Sequence, residues 1–283
     1  MPEPATKGAG TVHPASTFDD QAPHYDARVG LPEAVGAAVA SEIVACAGLQ
    51  SDDLMLELGA GTGEIGTHLA RLPVRYVGID NSAPMLQLFR QKLGASPASL
   101  LLADAGQGWP LDDDAAVVVF ASRVVHLLDA AHVARETARV CRPGGWLMLG
   151  RVLRDDGGVK ERLRRHRLQL LRQAGVGSLR GREGAGRVVE HCLQAGGLSM
   201  GRRVVVEWSE ETTPAEVIAG WASLTRMGSV AVDPAMHQQI LAQLRAWARE
   251  EFGALDRPEI SQERYALDLV RFAENIDPPQ VSF

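Results

Sequence analysis

Short apolar runs alternate with amphipathic stretches through the middle of the chain. The apolar runs predict strands, because each is short and is followed by residues typical of turns: 54–58, 74–80, 99–103, 115–122 and 146–153. The stretches between them predict helices at 64–71, 84–93 and 132–141. Such alternation predicts an α/β fold with a parallel sheet that helices cover on both faces, and a ligand at the carboxyl edge of the strands.

The pattern changes toward both ends of the chain. Residues 1–16 lack periodic apolar positions and predict a mobile tail, and residues 17–50 predict an N-terminal helical cap with its main helix at 31–47. Residues 51–283 are the predicted core. After the alternating region we expect further helices at 159–173, 187–195, 214–227 and 234–252, and two last strands at 202–208 and 264–272.

The late helices predict two insertions, at about 156–196 and 210–255. About fifty residues of mostly helical pattern separate the last two predicted strands, and an insertion of that length usually serves a function. We expect a lid over a substrate site. The alternative is additional helical mass that covers one face of the sheet.

A glycine-rich turn after the first predicted strand carries the clearest chemical signal. Residues 57–63 have the sequence ELGAGTG, which suits a turn where bare backbone approaches a ligand. Asp80 ends the second predicted strand, where many α/β folds place a carboxylate for ribose hydroxyls. Together these features predict a nucleotide-binding site.

The register of the glycines indicates which nucleotide binds. Gly61 to Gly66 satisfies G-x-G-x-x-G, but when the motif begins directly after the strand, at Gly59, the third glycine position is Glu64. A carboxylate there obstructs close packing and repels a pyrophosphate. S-adenosylmethionine has no phosphate and carries positive groups, which tolerate a nearby Glu57. A nicotinamide-dependent oxidoreductase is the less favoured alternative.

Four segments, in this order, resemble the class I S-adenosylmethionine-dependent methyltransferases, in particular the small-molecule branch similar to the ubiquinone and menaquinone biosynthesis C-methyltransferases. The segments are 57–63, 77–86, 101–111 and 139–147. The resemblance implies a Rossmann-like, seven-stranded, mostly parallel sheet closed by an antiparallel hairpin, with helical lid insertions. It implies methyl transfer from S-adenosyl-L-methionine to a small-molecule acceptor. O-, N- and C-methylation stay open, and a protein that binds the donor without methylating is the alternative.

The resemblance also implies the donor contacts. Asp80 would bind the ribose, Asp104 the adenine amino group and the Ala105 N–H a ring nitrogen, while Tyr25 and Arg28 would fold over the methionine end. Structural alternatives are a helix cap for Asp80, an ordinary turn for Asp104 and helix packing for Tyr25. The full expected set is Tyr25, Arg28, Glu57, Gly59, Ala60, Gly61, Gly63, Asp80, Asn81, Met85, Asp104, Ala105 and Ser122.

His126 is the candidate catalytic base. It follows the fourth predicted strand, and a histidine can take a proton from a hydroxyl or an amine because its pKa lies near neutrality. The alternative is a packing residue, since a sulfonium is already a good leaving group and alignment can supply much of the acceleration.

Charge and composition limit the partners. The net charge of −6 argues against nucleic acid, no apolar run is long enough for a membrane span, and the three cysteines suit packing in a reduced, cytoplasmic protein. Adjacent Asp112, Asp113 and Asp114 point in different directions, so we expect no metal. The predicted helix 160–172 carries six basic residues, which are either a solvated surface or a site for an anionic acceptor or an acidic carrier protein.

Overall fold

A seven-stranded sheet forms the centre of the computed structural model, which describes residues 18–26, 30–176, 183–222, 226–227, 230–231 and 233–273. The strand order is β3-β2-β1-β4-β5-β9-β6, and β7 and β8 form a separate two-stranded ladder. The strands are β1 Leu54–Leu58, β2 Arg75–Asp80, β3 Ser99–Leu102, β4 Ala116–Ser122, β5 Cys141–Arg154, β6 Gly197–Thr212, β7 Arg226–Met227, β8 Val230–Ala231 and β9 Glu259–Phe272.

Helices connect the strands and cover the sheet. They are α1 Glu33–Ala47, α2 Gly66–Leu69, α3 Ala83–Leu93, α4 Ala130–Val140, α5 Val159–Gln173, α6 Glu183–Gln194, α7 Pro214–Ala222 and α8 Pro234–Phe252. Two 3-10 turns lie at Asp19–His24 and Val125–Leu127. None of the helices in the described ranges is long and apolar enough to cross a membrane.

The strand pairing confirms the predicted sheet. Strands β1, β2, β3, β4 and β5 pair in parallel, whereas β9 lies antiparallel between β5 and β6. Alternate residues of β1 enter opposite cores, as the period of a strand requires: Leu56 and Leu58 pack toward α4 and α6, and Met55 packs toward α1, α2 and α3. Both faces of the sheet are therefore buried at β1.

Two predicted helices are shorter in the structure. The helix expected at 64–71 is reduced to the single turn α2, whose N-cap residue, Ile65, makes no side-chain capping hydrogen bond. Gly66 begins that turn, and Pro73 follows shortly after it, so the segment has little to extend a helix in either direction. The helix expected at 214–227 ends at Ala222, and residues 226 and 227 form β7.

Three helices pack against one another beyond the end of β5 and form what we call the helical unit: α5, α7 and α8. Their shared core includes Leu163, Ile218, Leu241 and Leu244, all buried. Helix α6 lies elsewhere, because Val188 and Cys192 pack into the core on the sheet. The division into tail, cap and core stays a proposal, and the tail at 1–16 lies outside the described residues.

Candidate functional site

The three glycines of the turn after β1 all adopt backbone conformations in the left-handed region. Their φ angles are +63° at Gly59, +54° at Gly61 and +80° at Gly63. A Cβ on Gly59 would lie 2.6 Å from Val124, and one on Gly63 would overlap the Phe89 ring. Among the described residues, the nearest atom to a Cβ on Gly61, its chain neighbours apart, would be the Gly59 carbonyl oxygen at 3.8 Å. Packing therefore requires a glycine at 59 and 63, whereas the described residues leave room for a side chain at Gly61.

Asp80 connects the end of β2 to this turn. Its Oδ2 accepts a 2.9 Å hydrogen bond from the Gly61 N–H, and its Oδ1 accepts one of 2.8 Å from the Ser82 N–H. Burial raises the pKa of Asp80, and the bonds from Ser82, Gly61 and Asn81 oppose that rise. The helix cap that was an alternative role for Asp80 is provided by Ser82, whose Oγ accepts from the Met85 N–H at 3.4 Å. Asp80 is left facing the turn.

Asp104 and Ala105 follow β3, next to the end of β2. The Ala103 N–H donates to the Asp80 carbonyl at 3.0 Å, which places the two acidic residues at the same edge of the sheet. Asp104 Oδ1 accepts from the Gly106 N–H at 2.8 Å. Within the described ranges, the Ala105 N–H makes no hydrogen bond. A ligand at this edge therefore meets one backbone donor beside a carboxylate.

Glu57 lies beneath the turn with only 4% of its surface exposed. The Tyr76 hydroxyl donates a hydrogen bond to its carboxyl group, and a Cβ on Gly66 would lie 2.7 Å from Glu57 Oε2. Burial raises the pKa of Glu57 to about 8, despite the bond from Tyr76. The carboxyl group is therefore mostly protonated at neutral pH. The neighbouring Ala60 N–H donates to the Ile79 carbonyl at 3.0 Å, which holds the turn against β2.

The segment before α1 is held across the glycine turn by side-chain contacts that sequence reasoning missed. Ser82 Oγ donates to Asp19 Oδ1 at 2.6 Å. Asp26 accepts from the Thr62 hydroxyl at 2.5 Å with one oxygen and pairs with Lys92 at 2.5 Å with the other. Asp26 belongs to the His-Tyr-Asp element that the sequence already indicated. Nothing in the sequence indicated that Thr62 and Lys92 would be its partners.

Tyr25 lies over Arg123, with 6.0 Å between the ring centroid and the guanidinium carbon. Arg123 pairs with Glu64, and the Leu31 N–H donates to the same carboxylate. Glu64, which occupies the third glycine position of a dinucleotide motif, is thus part of the link between the N-terminal segment and the end of β4. Arg28 lies outside the described residues.

The end of β4 carries Ser122 and leads to His126. Ser122 Oγ lies 2.6 Å from the hydroxyl of Tyr265, a fully buried residue of β9. His126 is exposed, but protein atoms around it lower its pKa through desolvation, so the imidazole is neutral at pH 7. Its backbone packs on α6, where a Cβ on Gly184 would lie 2.7 Å from its Cα. A neutral imidazole can accept a proton.

Known proteins with a similar sequence indicate the family to which this site belongs. Residues 56–149 match the family model of a methyltransferase domain. Residues 56–149 are thus similar to a methyltransferase domain, and the sheet to which they belong has the class I methyltransferase fold. An uncharacterized methyltransferase of Mycobacterium tuberculosis is 32% identical over 166 residues, which cover 58% of this chain and 61% of that protein. The chain thus spans about three fifths of the curated relatives that it matches first. The branch similar to ubiquinone and menaquinone enzymes stays a prediction.

Solved structures share the fold of the methyltransferase domain and its flanking elements. The Bacillus subtilis YcgJ protein has a TM-score of 0.53 and 17% identity, and the match covers 83% of this chain and 98% of that one. The 4+2 cyclase SpnF has a TM-score of 0.56 and 16% identity, with 94% and 100% coverage. No metal-binding group of three or more His, Cys, Asp or Glu residues occurs in the described ranges.

Proposed function

We propose that the protein transfers a methyl group from S-adenosyl-L-methionine to a small-molecule acceptor. One observation carries the proposal: the open face at Gly61 lies beside the Asp80 carboxylate, 2.9 Å from the Gly61 nitrogen to Asp80 Oδ2. Each oxygen of a carboxylate can accept a second hydrogen bond, so Asp80 can still bind ribose hydroxyls while it holds the turn. This pairing of bare backbone and acid suits a nucleoside.

The adenine would lie toward β3. Asp104 has one carboxylate oxygen that accepts from Gly106, which leaves acceptor capacity for an exocyclic amino group. The Ala105 N–H suits a ring nitrogen, and Met85, 3% exposed on α3, supplies an apolar wall. Asn81, exposed beside Asp80, would lie near the ribose. These contacts would orient the donor without any phosphate-binding group.

Glu57 would respond to the positive charge of the donor. A cation near a carboxyl group favours its ionised form and lowers its pKa, so binding would release a proton from Glu57 near neutral pH. The N-terminal segment, through Tyr25 and Asp26, would cover the methionine end and exclude water. The donor supplies a methyl group on a positively charged sulfur, which is a good leaving group. Positioning and desolvation by the chain would supply most of the remaining rate acceleration.

His126 would accept a proton from an acceptor hydroxyl or amine. Its neutral imidazole lies at the carboxyl end of β4, close in the chain to Ser122, whose backbone would line the donor pocket. The helical unit and the N-terminal cap would close over the acceptor.

Acceptor-dependent formation of S-adenosylhomocysteine tests the proposal. The protein is incubated with S-adenosylmethionine labelled in its methyl group and with fractions of a small-molecule extract, and both labelled product and S-adenosylhomocysteine are measured. The Asp80→Asn variant is the control for donor dependence. Stoichiometric transfer by the wild-type protein supports the proposal. Donor binding without transfer in any fraction would favour the alternative, a donor-binding protein that does not methylate.

A further inference from the structure

The basic residues of α5 are not equivalent in the structure. Four of them have acceptors: Lys160 pairs with Glu210, Arg162 with Glu251, Arg164 with the buried Glu161, and Arg165 donates to the Asp156 carbonyl. Arg172 is exposed near the end of the helix. Arg167 differs from all of these, because only 9% of its surface is exposed and it points into the helical unit. Most of the basic helix is therefore an ordinary surface.

Within the part of the chain that the structure describes, two nitrogens of the Arg167 guanidinium have no hydrogen-bond acceptor. Its Nε and Nη2 atoms are both buried and make no hydrogen bond, and no carboxylate in the described ranges pairs with it. Burial lowers the pKa of Arg167 to about 10, which still leaves the group charged at neutral pH. A buried charge without a partner is costly, so its retention calls for a compensating group.

Two further residues line the same interior, one from each of the other helices. The Trp221 ring of α7 lies 4.8 Å from the guanidinium carbon of Arg167. His237 of α8 is 5% exposed, and its Nε2 is also buried without a hydrogen-bond partner. Burial and the charge of Arg167 lower the pKa of His237, while a hydrogen bond with the Trp221 backbone opposes this. The three helices thus place one cation, one aromatic face and one imidazole together.

We infer that Arg167, Trp221 and His237 form a site for an oxyanion, the carboxylate or phosphate group of the methyl acceptor. The Nε and Nη2 atoms form one edge of the guanidinium, and that edge matches the spacing of two oxygens in a carboxylate or phosphate. While the His237 ring is neutral, its Nε2 carries a lone pair; a bound oxyanion would favour the protonated ring, whose Nε2–H would then donate to it. The Trp221 ring lies over the cation, and the N–H groups of Nε and Nη2 make no hydrogen bond with the described residues.

The position of the helical unit connects this site to the acceptor, a step that rests on the proposed function. Helix α5 begins shortly after β5 ends at Arg154, and α7 begins directly after β6 ends at Thr212. Because β6 and β5 are both antiparallel to β9, they run in the same direction and end at the edge where Asp80 ends β2. The anion site therefore lies on the side of the sheet edge where the donor would bind.

Titration with simple oxyanions tests the site. Sodium phosphate and sodium acetate are added to the wild-type protein, to Arg167→Met and to Arg172→Met, with sodium chloride at equal ionic strength as the reference. We expect phosphate, acetate or both to raise the Tm of the wild-type protein and of Arg172→Met, and binding about 10-fold or more weaker in Arg167→Met. An equal response of Arg167→Met, or no response of the wild-type protein, would overturn the site.

A second readout needs no variant. The ring resonances of His237 in the wild-type protein should shift when phosphate or acetate binds, and unchanged resonances at saturation would contradict the site. For an acceptor that carries a carboxylate or phosphate, Arg167→Met should raise KM about 10-fold and leave the affinity for S-adenosylmethionine unchanged. An unchanged KM would overturn the assignment to the acceptor. Loss of donor binding in every protein would instead contradict the proposed function.

Discussion

The Asp80 carboxylate accepts a 2.9 Å hydrogen bond from the N–H of Gly61, the glycine whose Cβ position is open. This contact joins the end of β2 to the turn after β1, so the acid and the bare backbone are fixed relative to each other before any ligand binds. A preformed arrangement of this kind reduces the entropy that binding must overcome.

Substitutions in the glycine turn should separate packing from binding. Gly61→Ala places a residue with a side chain at φ +54°, where space is available, so we expect a stability loss of about 1–2 kcal/mol and much weaker donor binding. Gly63→Ala should destabilise more, because its Cβ overlaps Phe89 as well. Urea unfolding measures both. Equal losses in the two variants would contradict this distinction.

The buried carboxyl group of Glu57 should make stability depend on pH. Its pKa rises from 4.5 to about 8 on folding, so the folded state binds the proton more tightly. Stability therefore falls as pH rises between these two values. Glu57→Gln should remove much of that slope and stabilise the protein at pH 8 by roughly 2–4 kcal/mol. Exposed Glu190→Gln is the control, and the same slope in Glu57→Gln and wild type would refute the assignment.

The contacts of Asp26 should hold the N-terminal segment over the turn. Asp26→Asn weakens both the bond with Thr62 and the pair with Lys92, and because the ion pair is half exposed, we expect a loss of global stability below about 1 kcal/mol. Hydrogen exchange in residues 18–26 and 30–31 should nevertheless become faster. Lys92→Met keeps the Thr62 contact and should have a smaller effect. Equal exchange rates in the wild-type protein and Asp26→Asn would show that contacts other than those of Asp26 hold the segment.

The role of His126 can be measured once an acceptor is known. If His126 is the base, the variant His126→Gln should have a kcat about 100-fold or more lower at pH 7, with no change in donor affinity. The half-buried His132, which bonds the Gln107 carbonyl, provides the matched control His132→Gln. An unchanged kcat would show that His126 is a packing residue.

The sequence was sufficient for the sheet but not for contacts between distant segments. A short apolar run bounded by turn residues predicted β1 to its ends, and all five of its residues are buried. The lengths of β6 and β9 were underestimated, since both strands continue their pairing through polar residues that interrupt the apolar pattern. Local patterns predicted the glycine turn and the position of Asp80 at the end of β2. They could not predict Ser122 against Tyr265, which lie 143 positions apart.

The burial of Arg167 shows a different limit. Six basic residues on one helix predict a solvated surface, and the pairings of Lys160, Arg162 and Arg164 agree with that prediction. Arg167 enters the interior because α7 and α8, whose positions depend on the tertiary fold, cover that part of α5. Charge patterns alone do not report which residue a neighbouring helix will bury.

A calorimetric titration of the wild-type protein and Asp80→Asn with S-adenosylmethionine and S-adenosylhomocysteine tests the central claim most directly, with NADH as the control ligand. We predict that the wild-type protein binds both sulfur nucleotides and not NADH, and that Asp80→Asn binds them at least about 10-fold more weakly because a charged acceptor of ribose hydroxyls is lost. Binding of NADH alone, or equal affinity of the two proteins for S-adenosylmethionine, would contradict the account.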